Sequence, residues 1–196
     1  MTEVNKTRKD LNEADARGLI ALLRKIQANE YWHGPIELFQ EMQKTVSRLA
    51  FEIVIIDDAG DKPKVLLYQY FGTNVPQHTG LYALPGGFDF FPEDEIETIN
   101  RKALDEIGIS VECLGIIGLH KWKVDEHPFG ARIMSLYALC KPLGRIDMQG
   151  KKFFTREEML GMGPIDMDPK HPHRKFLDRY LQTLEAGKEI VPLPFG

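Results

Sequence analysis

The stretch from Leu84 to Ile109, LPGGFDFFPEDEIETINRKALDEIGI, constrains the fold of this chain more than any other. A proline, a run of acids and a later glycine are typical of a helix that begins near Pro92 and ends at Gly108, with Glu93, Asp94 and Glu95 in its first turn. Apolar residues recur along it at spacings of three and four: Ile96, Ile99, Ala103 and Ile107. This side of the predicted helix is expected to pack on a sheet.

The opposite side of the predicted helix carries Glu95, Thr98, Lys102, Asp105 and Glu106. The last three are neighbours across one helical turn. Carboxylates gathered there would attract a divalent cation, because hard cations prefer oxygen ligands. Lys102, however, places an ammonium group among them. An exposed Lys102–Glu106 ion pair would compete with metal binding while contributing only about 0.3 to 0.5 kcal/mol.

The strand pattern surrounds this helix on both sides. Two apolar segments, LAFEIVIID and KVLLYQYF, are separated by the turn sequence DDAGDKP and predict a β-hairpin. Further strands are predicted in LYAL, SVECLGIIGLHKWKV, ARIMSLYALCKP and KFF. A capping box of Thr155 and Glu158 predicts a short helix, and a last helix is predicted from about His173 to Ala186. This order predicts an α+β fold, an α/β/α sandwich with a mixed sheet between helices.

Two amphipathic helices are predicted before the first strand, one over residues 12–28 and one beginning near Pro35. We therefore expect a helical extension over residues 1–46 and a main domain over residues 47–196. The apolar residues of the extension favour either a homodimer contact or packing on the same domain.

Composition excludes several classes of function. The net charge of -4 and the isoelectric point near 5.9 argue against a nucleic-acid partner. No apolar run has the length of a membrane span, and the first residues lack the apolar segment of a signal peptide. Cys113 and Cys140 both lie in apolar runs, which is typical of buried free thiols in a reducing compartment. The sequence therefore predicts a cytoplasmic protein without a membrane partner.

The predicted helix resembles the Nudix box. That pattern is Gly, five residues, Glu, seven residues, Arg-Glu, an apolar residue, any residue, Glu-Glu, any residue, Gly and an apolar residue. Seven positions match at the required spacing: Gly87, Glu93, Arg101, Ala103, Glu106, Gly108 and Ile109. At an eighth position Asp105 is a conservative replacement for Glu. Lys102 stands where the pattern has Glu. With the lead-in GLYALPGG and the later segment KKFFTREEML, the resemblance covers about Ser47 to Leu184.

The resemblance implies a hydrolase of nucleoside diphosphates linked to another moiety, with Mg²⁺ or Mn²⁺ held by Asp105 and Glu106. It also implies an ion pair between Glu93 and Arg101 that orients the loop before the helix. Members of the family often bring a further acid from a loop outside the box, so Asp125 and Glu126 are candidates for the missing ligand or base. Asp105, Glu106 and Glu126 are thus the candidate catalytic residues. The candidate substrate contacts are Gly86, Gly87, Lys102, Arg101 and Tyr82.

Two functional classes stay open from the sequence. The first is a divergent pyrophosphohydrolase, which the chemistry of the family favours. The second is an inactive Nudix-fold module that binds a nucleotide-like ligand, with the Lys102 ammonium contacting phosphate in place of a cation. Aromatic residues that could stack on a nucleobase are Tyr68, Tyr70, Phe71, Tyr82 and Trp122. Such residues in strands are more often part of the core. His171 and His173 are expected to flank the last helix rather than to bind metal.

Overall fold

The structure is a computed structural model that describes residues 13–27, 48–71, 79–89, 93–123, 126, 133–163, 167 and 171–195. The chain forms two compact units, Met1–Gly34 and Pro35–Gly196. The first unit contains α1 (Glu13–Gln27), as predicted. Side chains of α1 that are about half exposed include Leu19, Ile20 and Leu22. The second predicted helix lies outside the described residues, and the domain boundary after residue 46 stays a prediction.

The described part of the second unit contains eight strands and three helices. The strands are β1 (Arg48–Val54), β2 (Ile56–Asp57), β3 (Lys64–Gln69), β4 (Tyr82–Ala83), β5 (Gly86–Phe88), β6 (Val111–Lys121), β7 (Ile133–Pro142) and β8 (Lys151–Thr155). The helices are α2 (Glu95–Ile107), α3 (Arg156–Gly161) and α4 (Pro172–Glu185). None of the helices that can be described combines the length and the apolar character that crossing a membrane requires.

The strands form two sheets. In the first sheet the order is β5-β1-β7-β6, with β1 parallel to β7 and the other two pairs antiparallel. In the second sheet, β3 pairs antiparallel with β2, β4 and β8. The mixed first sheet agrees with the predicted α+β class.

The predicted hairpin between residues 49–57 and 64–71 is wrong in its main part. Only the two residues of β2 pair with β3, whereas β1 belongs to the first sheet. The five residues from Ala50 to Val54 are buried without alternation. A strand that is apolar on both faces needs cover on both faces, which a central strand has and a solvent-facing hairpin lacks.

The first sheet is covered on both faces. On one face, α2 packs through Ile99, Ala103 and Ile107 into a cluster that includes Phe51 and Ile53 of β1. On the other face, α4 packs in a second cluster that includes Leu177, Leu181, Val54 and Tyr137. This arrangement confirms the predicted layers of helix, sheet and helix.

The start of α2 differs from the prediction. Asp94 is the N-cap and forms a capping box with Glu97, so Glu93 and Asp94 precede the helix instead of forming its first turn. Pro92 lies outside the described residues. Thr98, predicted on the polar side, is buried, and its hydroxyl is satisfied by donating to Glu93 Oε2 at 3.0 Å. Ile96, predicted on the packing side, is 40% exposed.

Other predicted helix ends are confirmed. Gly108 ends α2 with a φ of 76°, a left-handed conformation that favours glycine. Thr155 and Glu158 form the capping box of α3. His171 is the N-cap of α4, and His173 lies in its first turn.

Candidate active site

The Gly-Gly segment of β5 holds Glu106. The Gly86 N–H donates to Glu106 Oε2 at 2.7 Å. Gly86 is also the cross-strand partner of Glu52, and a Cβ atom at residue 86 would collide with the Phe51 carbonyl oxygen. Glycine at this position therefore permits the close strand approach that brings the Gly86 amide to the acid.

Lys102 lies one helical turn before Glu106, and its Nζ is 3.5 Å from Glu106 Oε1. The two side chains are only 21% and 15% exposed, so the pair is partly buried and not the exposed pair that the sequence predicted. The lysine stem passes beside Gly87, where a Cβ atom would lie 2.6 Å from Lys102 Cε. Gly87 has a φ of 153°, whereas Gly86 does not have the positive φ that the Gly-Gly turn suggested. The ammonium group thus lies close to both the Gly-Gly segment and Glu106.

Glu106 has an unusual electrostatic environment. Burial raises the pKa of Glu106 to about 7, although Lys102, the Gly86 amide and a hydrogen bond from the Tyr68 hydroxyl all act in the opposite direction. The nearby Glu52 carboxylate adds to the rise. Burial, together with Glu106, also raises the pKa of Tyr68. Such a carboxyl gains and loses its proton near neutral pH, which is typical of residues in functional sites.

Asp105 and Glu106 face the same open space. Both line a cavity of about 340 Å³ together with residues 68–71 and residues 149–151. The Asp105 side chain is 57% exposed, and its Oδ2 lies 3.9 Å from Arg101 Nη1. The neighbouring acids therefore reach one cavity from very different environments.

Asp105 and Glu106 are suitable ligands for a divalent cation, but two carboxylates beside a lysine form a weak binding site. Mg²⁺ is often held by one or two carboxylates together with substrate phosphates and water. Asp105 and Glu106 can supply such a pair, but Lys102 lies at the position where a third acid would strengthen it. Within the described ranges there is no group of three or more His, Cys, Asp or Glu residues that could hold a metal ion.

Arg101 and Glu93 form the expected loop-orienting ion pair. Arg101 Nε donates to Glu93 Oε1 at 2.6 Å, and Nη2 donates to Glu93 Oε2 at 2.9 Å. Nη2 also donates to the Phe88 carbonyl oxygen at 3.1 Å. This bidentate pair ties the segment before α2 to the end of β5. A direct contact of Arg101 with substrate stays a prediction, as does the contact proposed for Gly87.

Glu126 has partners of its own. Its Oε2 accepts from the Lys123 N–H at 3.0 Å and lies 3.1 Å from His120 Nε2. The backbone hydrogen bond from Lys123 is the main reason that the pKa of Glu126 is lowered. Glu126 is not among the residues that line the cavity of Asp105 and Glu106. Its role as ligand or base therefore stays a prediction, and Asp125 lies outside the described residues.

The candidate aromatic residues separate into two groups. Tyr68 and Trp122 are buried, and Tyr82 packs edge-on against Phe154 with 4.8 Å between the ring centroids. Tyr70 and Phe71 line the cavity, as the buried Tyr68 also does, and Phe71 is 68% exposed. Of the five candidates, Phe71 is the most accessible for stacking, whereas the predicted substrate contact of Tyr82 would compete with its core packing.

Sequence reasoning missed Glu52. This acid is buried on β1, where its Oε1 accepts from the Ser135 hydroxyl at 2.8 Å, and Ser135 Oγ accepts from Trp122 Nε1 at 2.9 Å. His173 Nε2 lies 3.3 Å from Glu52 Oε1 without forming a hydrogen bond. The sequence did contain a signal, which is a single acid within an otherwise apolar strand. Such an acid is expected to be buried, and a buried acid needs polar partners from elsewhere in the fold.

Comparison with known proteins identifies the fold. No protein-family model and no curated protein matches the chain. A solved UDP-X diphosphatase is similar over 95% of this chain and 89% of that one, with a TM-score of 0.55 and 16% identity. A NUDIX hydrolase from Nitrosomonas europaea is similar over 77% and 98%, with a TM-score of 0.55 and 17% identity.

A MutT protein from Methanosarcina mazei Go1 is also similar, over 71% of this chain and 96% of that one, with a TM-score of 0.54 and 18% identity. At such identities the likeness shows the fold and not the activity. The chain has the Nudix fold, which confirms the architecture that the sequence resemblance implied.

Proposed function

From the premise of a Nudix fold, we propose that this protein is a hydrolase that cleaves the pyrophosphate bond of a nucleoside diphosphate linked to another moiety. The observation that carries the proposal is the convergence of Asp105 and Glu106 on one cavity, with Glu106 fixed by the Gly86 amide. Solved structures of the same fold include one named as a UDP-X diphosphatase.

Asp105 and Glu106 are the proposed ligands of Mg²⁺ or Mn²⁺. A cation bound there would neutralise phosphate charge and activate water. Glu106 must lose its proton and release Lys102 to serve as a ligand. Lys102, once released, can donate to a phosphate oxygen at the same cavity, because its Nζ already lies 3.5 Å from Glu106 Oε1. In this proposal the lysine reduces cation affinity but contributes to binding of the anionic substrate.

A binding module without hydrolysis is the second candidate, and the partly buried Lys102–Glu106 pair is the observation that favours it. In that case the ammonium group itself would neutralise the ligand phosphate. We prefer hydrolysis because two acids, Asp105 and Glu106, still line the cavity. A homodimer, the absence of a nucleic-acid partner and a cytoplasmic location stay predictions from the sequence.

The test is hydrolysis of a panel of nucleoside diphosphate derivatives, with Mg²⁺ or Mn²⁺ and with a chelator. We expect cation-dependent turnover by the wild type and its loss in Asp105→Asn. Glu112→Gln is a matched control, because Glu112 is an exposed acid on β6. Tight ligand binding that does not change with the chelator, together with no turnover, would replace the proposal with the binding module.

A further inference from the structure

Cys113 and Cys140 lie directly opposite each other on the neighbouring antiparallel strands β6 and β7. Opposed residues in such a pair have Cα atoms about 4.5 to 5.5 Å apart and side chains on one face. This separation falls within the range of about 4.4 to 6.8 Å that disulfide-bonded cysteines show. Both thiols are free.

The two cysteines differ in exposure and in acidity. Cys113 is partly exposed, whereas Cys140 is buried. Its interaction with the Cys140 side chain, together with a hydrogen bond from the Gly115 backbone, lowers the pKa of Cys113. The contact with Cys113 and burial raise the pKa of Cys140, whose sulfur also lies 3.5 Å from the Ala138 carbonyl oxygen. Cys113 is thus accessible and more readily ionised, and Cys140 is a protected thiol beside it.

We propose that Cys113 and Cys140 form a thiol–disulfide exchange site that reacts with small disulfides of the glutathione type and closes into a reversible bond between β6 and β7. The Cys113 thiolate attacks one sulfur of the external disulfide, whose S–S bond breaks and releases one thiolate. The Cys140 thiol then loses its proton, attacks Cys113 Sγ and releases the second thiolate. The protein loses two electrons and two protons, and the external disulfide is reduced to two thiols.

The site is connected to the helix of the candidate active site. Both cysteines belong to the apolar cluster into which α2 packs through Ala103 and Ile107. A covalent bond there would join β6 to β7 beneath the helix that carries Asp105 and Glu106. The reaction itself does not depend on the proposed hydrolysis.

The test treats the folded full-length chain with excess oxidised glutathione and follows intact mass and free thiols. We expect the wild type to lose both thiols and the mass of two hydrogen atoms, with no glutathione retained, and dithiothreitol to reverse the change. Cys140→Ser should retain one glutathione on Cys113, and Cys113→Ser should stay unmodified. Oxidation should raise the midpoint of thermal unfolding in the wild type but not in the variant with both serines.

Three results would overturn the inference: stable glutathione on Cys113 of the wild type, dimers linked through Cys113, or thiols that react only after denaturant is added. Cys140→Ala provides a second trap for the mixed disulfide if the serine variant does not fold. The wild-type measurement decides the matter in either case, because it needs no substitution.

Discussion

Glu106 and Glu52 are two acids close to Gly86, and they are compensated in different ways. Their side chains are 15% and 9% exposed, so both are largely removed from water. Glu106 lines a cavity and contacts an ammonium group, an amide and a phenol. Glu52 accepts from the Ser135 hydroxyl, which in turn is bonded to the buried Trp122.

The comparison shows that burial alone does not identify a reactive acid. A buried carboxylate must be compensated wherever it lies, because its transfer from water is costly. A cation or a phosphate in the cavity can displace Lys102 from Glu106, because Glu106 lines that cavity. Ser135, which donates to Glu52, is buried on β7, and neither residue lines this cavity. We therefore assign ligand exchange to Glu106 and structural support to Glu52.

The strongest test of this difference is Glu106→Gln, which keeps the shape of the side chain but removes its charge. We expect kcat for the best substrate to fall roughly 10²- to 10³-fold, as for other losses of electrostatic stabilisation. Steady-state kinetics measures the effect, and chemical unfolding serves as the control for folding. Unchanged turnover in a folded variant would remove Glu106 from the proposed mechanism.

Glu52→Ala should act mainly on stability. The substitution leaves the buried Ser135 hydroxyl without its acceptor and creates a cavity, so we expect the free energy of unfolding to fall by about 2 to 4 kcal/mol. Urea unfolding measures this change, and Glu112→Gln on the surface is the comparison. A loss of activity without a loss of stability would show that Glu52 takes part in the reaction.

The pH dependence of stability should show the raised pKa of Glu106. The pKa of Glu106 is about 7 in the folded protein and 4.5 for an unperturbed glutamate, so between these values the folded chain binds more protons than the unfolded one. Stability should therefore fall as pH rises through this interval, by at most about 3 kcal/mol. Urea midpoints at pH 5 and pH 7.5 measure the fall. Glu106→Gln should flatten this part of the profile, and an unaltered profile would contradict the assignment.

Lys102→Glu should give a smaller but informative effect. It removes the ammonium group from Glu106 and restores a third acid, so Mn²⁺ should bind about tenfold more tightly or better, equivalent to roughly 1.4 kcal/mol. Calorimetric titration with Mn²⁺ measures the affinity without any turnover. Lys152→Glu is a suitable control, because Lys152 forms an exposed pair with Glu158. Equal affinity in the wild type and Lys102→Glu would show that the lysine does not limit cation binding.

Local sequence signals predicted many of the elements correctly. The capping box at Thr155 and the glycine at the end of α2 depend on short spacings, so the pattern contains the information. The Arg101–Glu93 pair was expected only from the family resemblance, and the structure contains it. The hairpin prediction failed because pairing of β1 with β7 joins residues far apart in the chain. Ile96 was predicted to be buried and is exposed, whereas Thr98 was predicted to be exposed and is buried. The partner of Thr98 is Glu93, whose position beside α2 is a tertiary feature.

The sequence by itself determined the helix and the side of it that carries Lys102, Asp105 and Glu106, because these follow from helical periodicity, and its box spacing resembles the Nudix pattern. Only the tertiary structure decided that the Lys102–Glu106 pair is partly buried, that Gly86 holds Glu106 and that the buried Glu52 is the cross-strand neighbour of Gly86. The physical reason is that burial and strand pairing arise when distant segments meet, and these change the environment of a charge without changing its place in the chain.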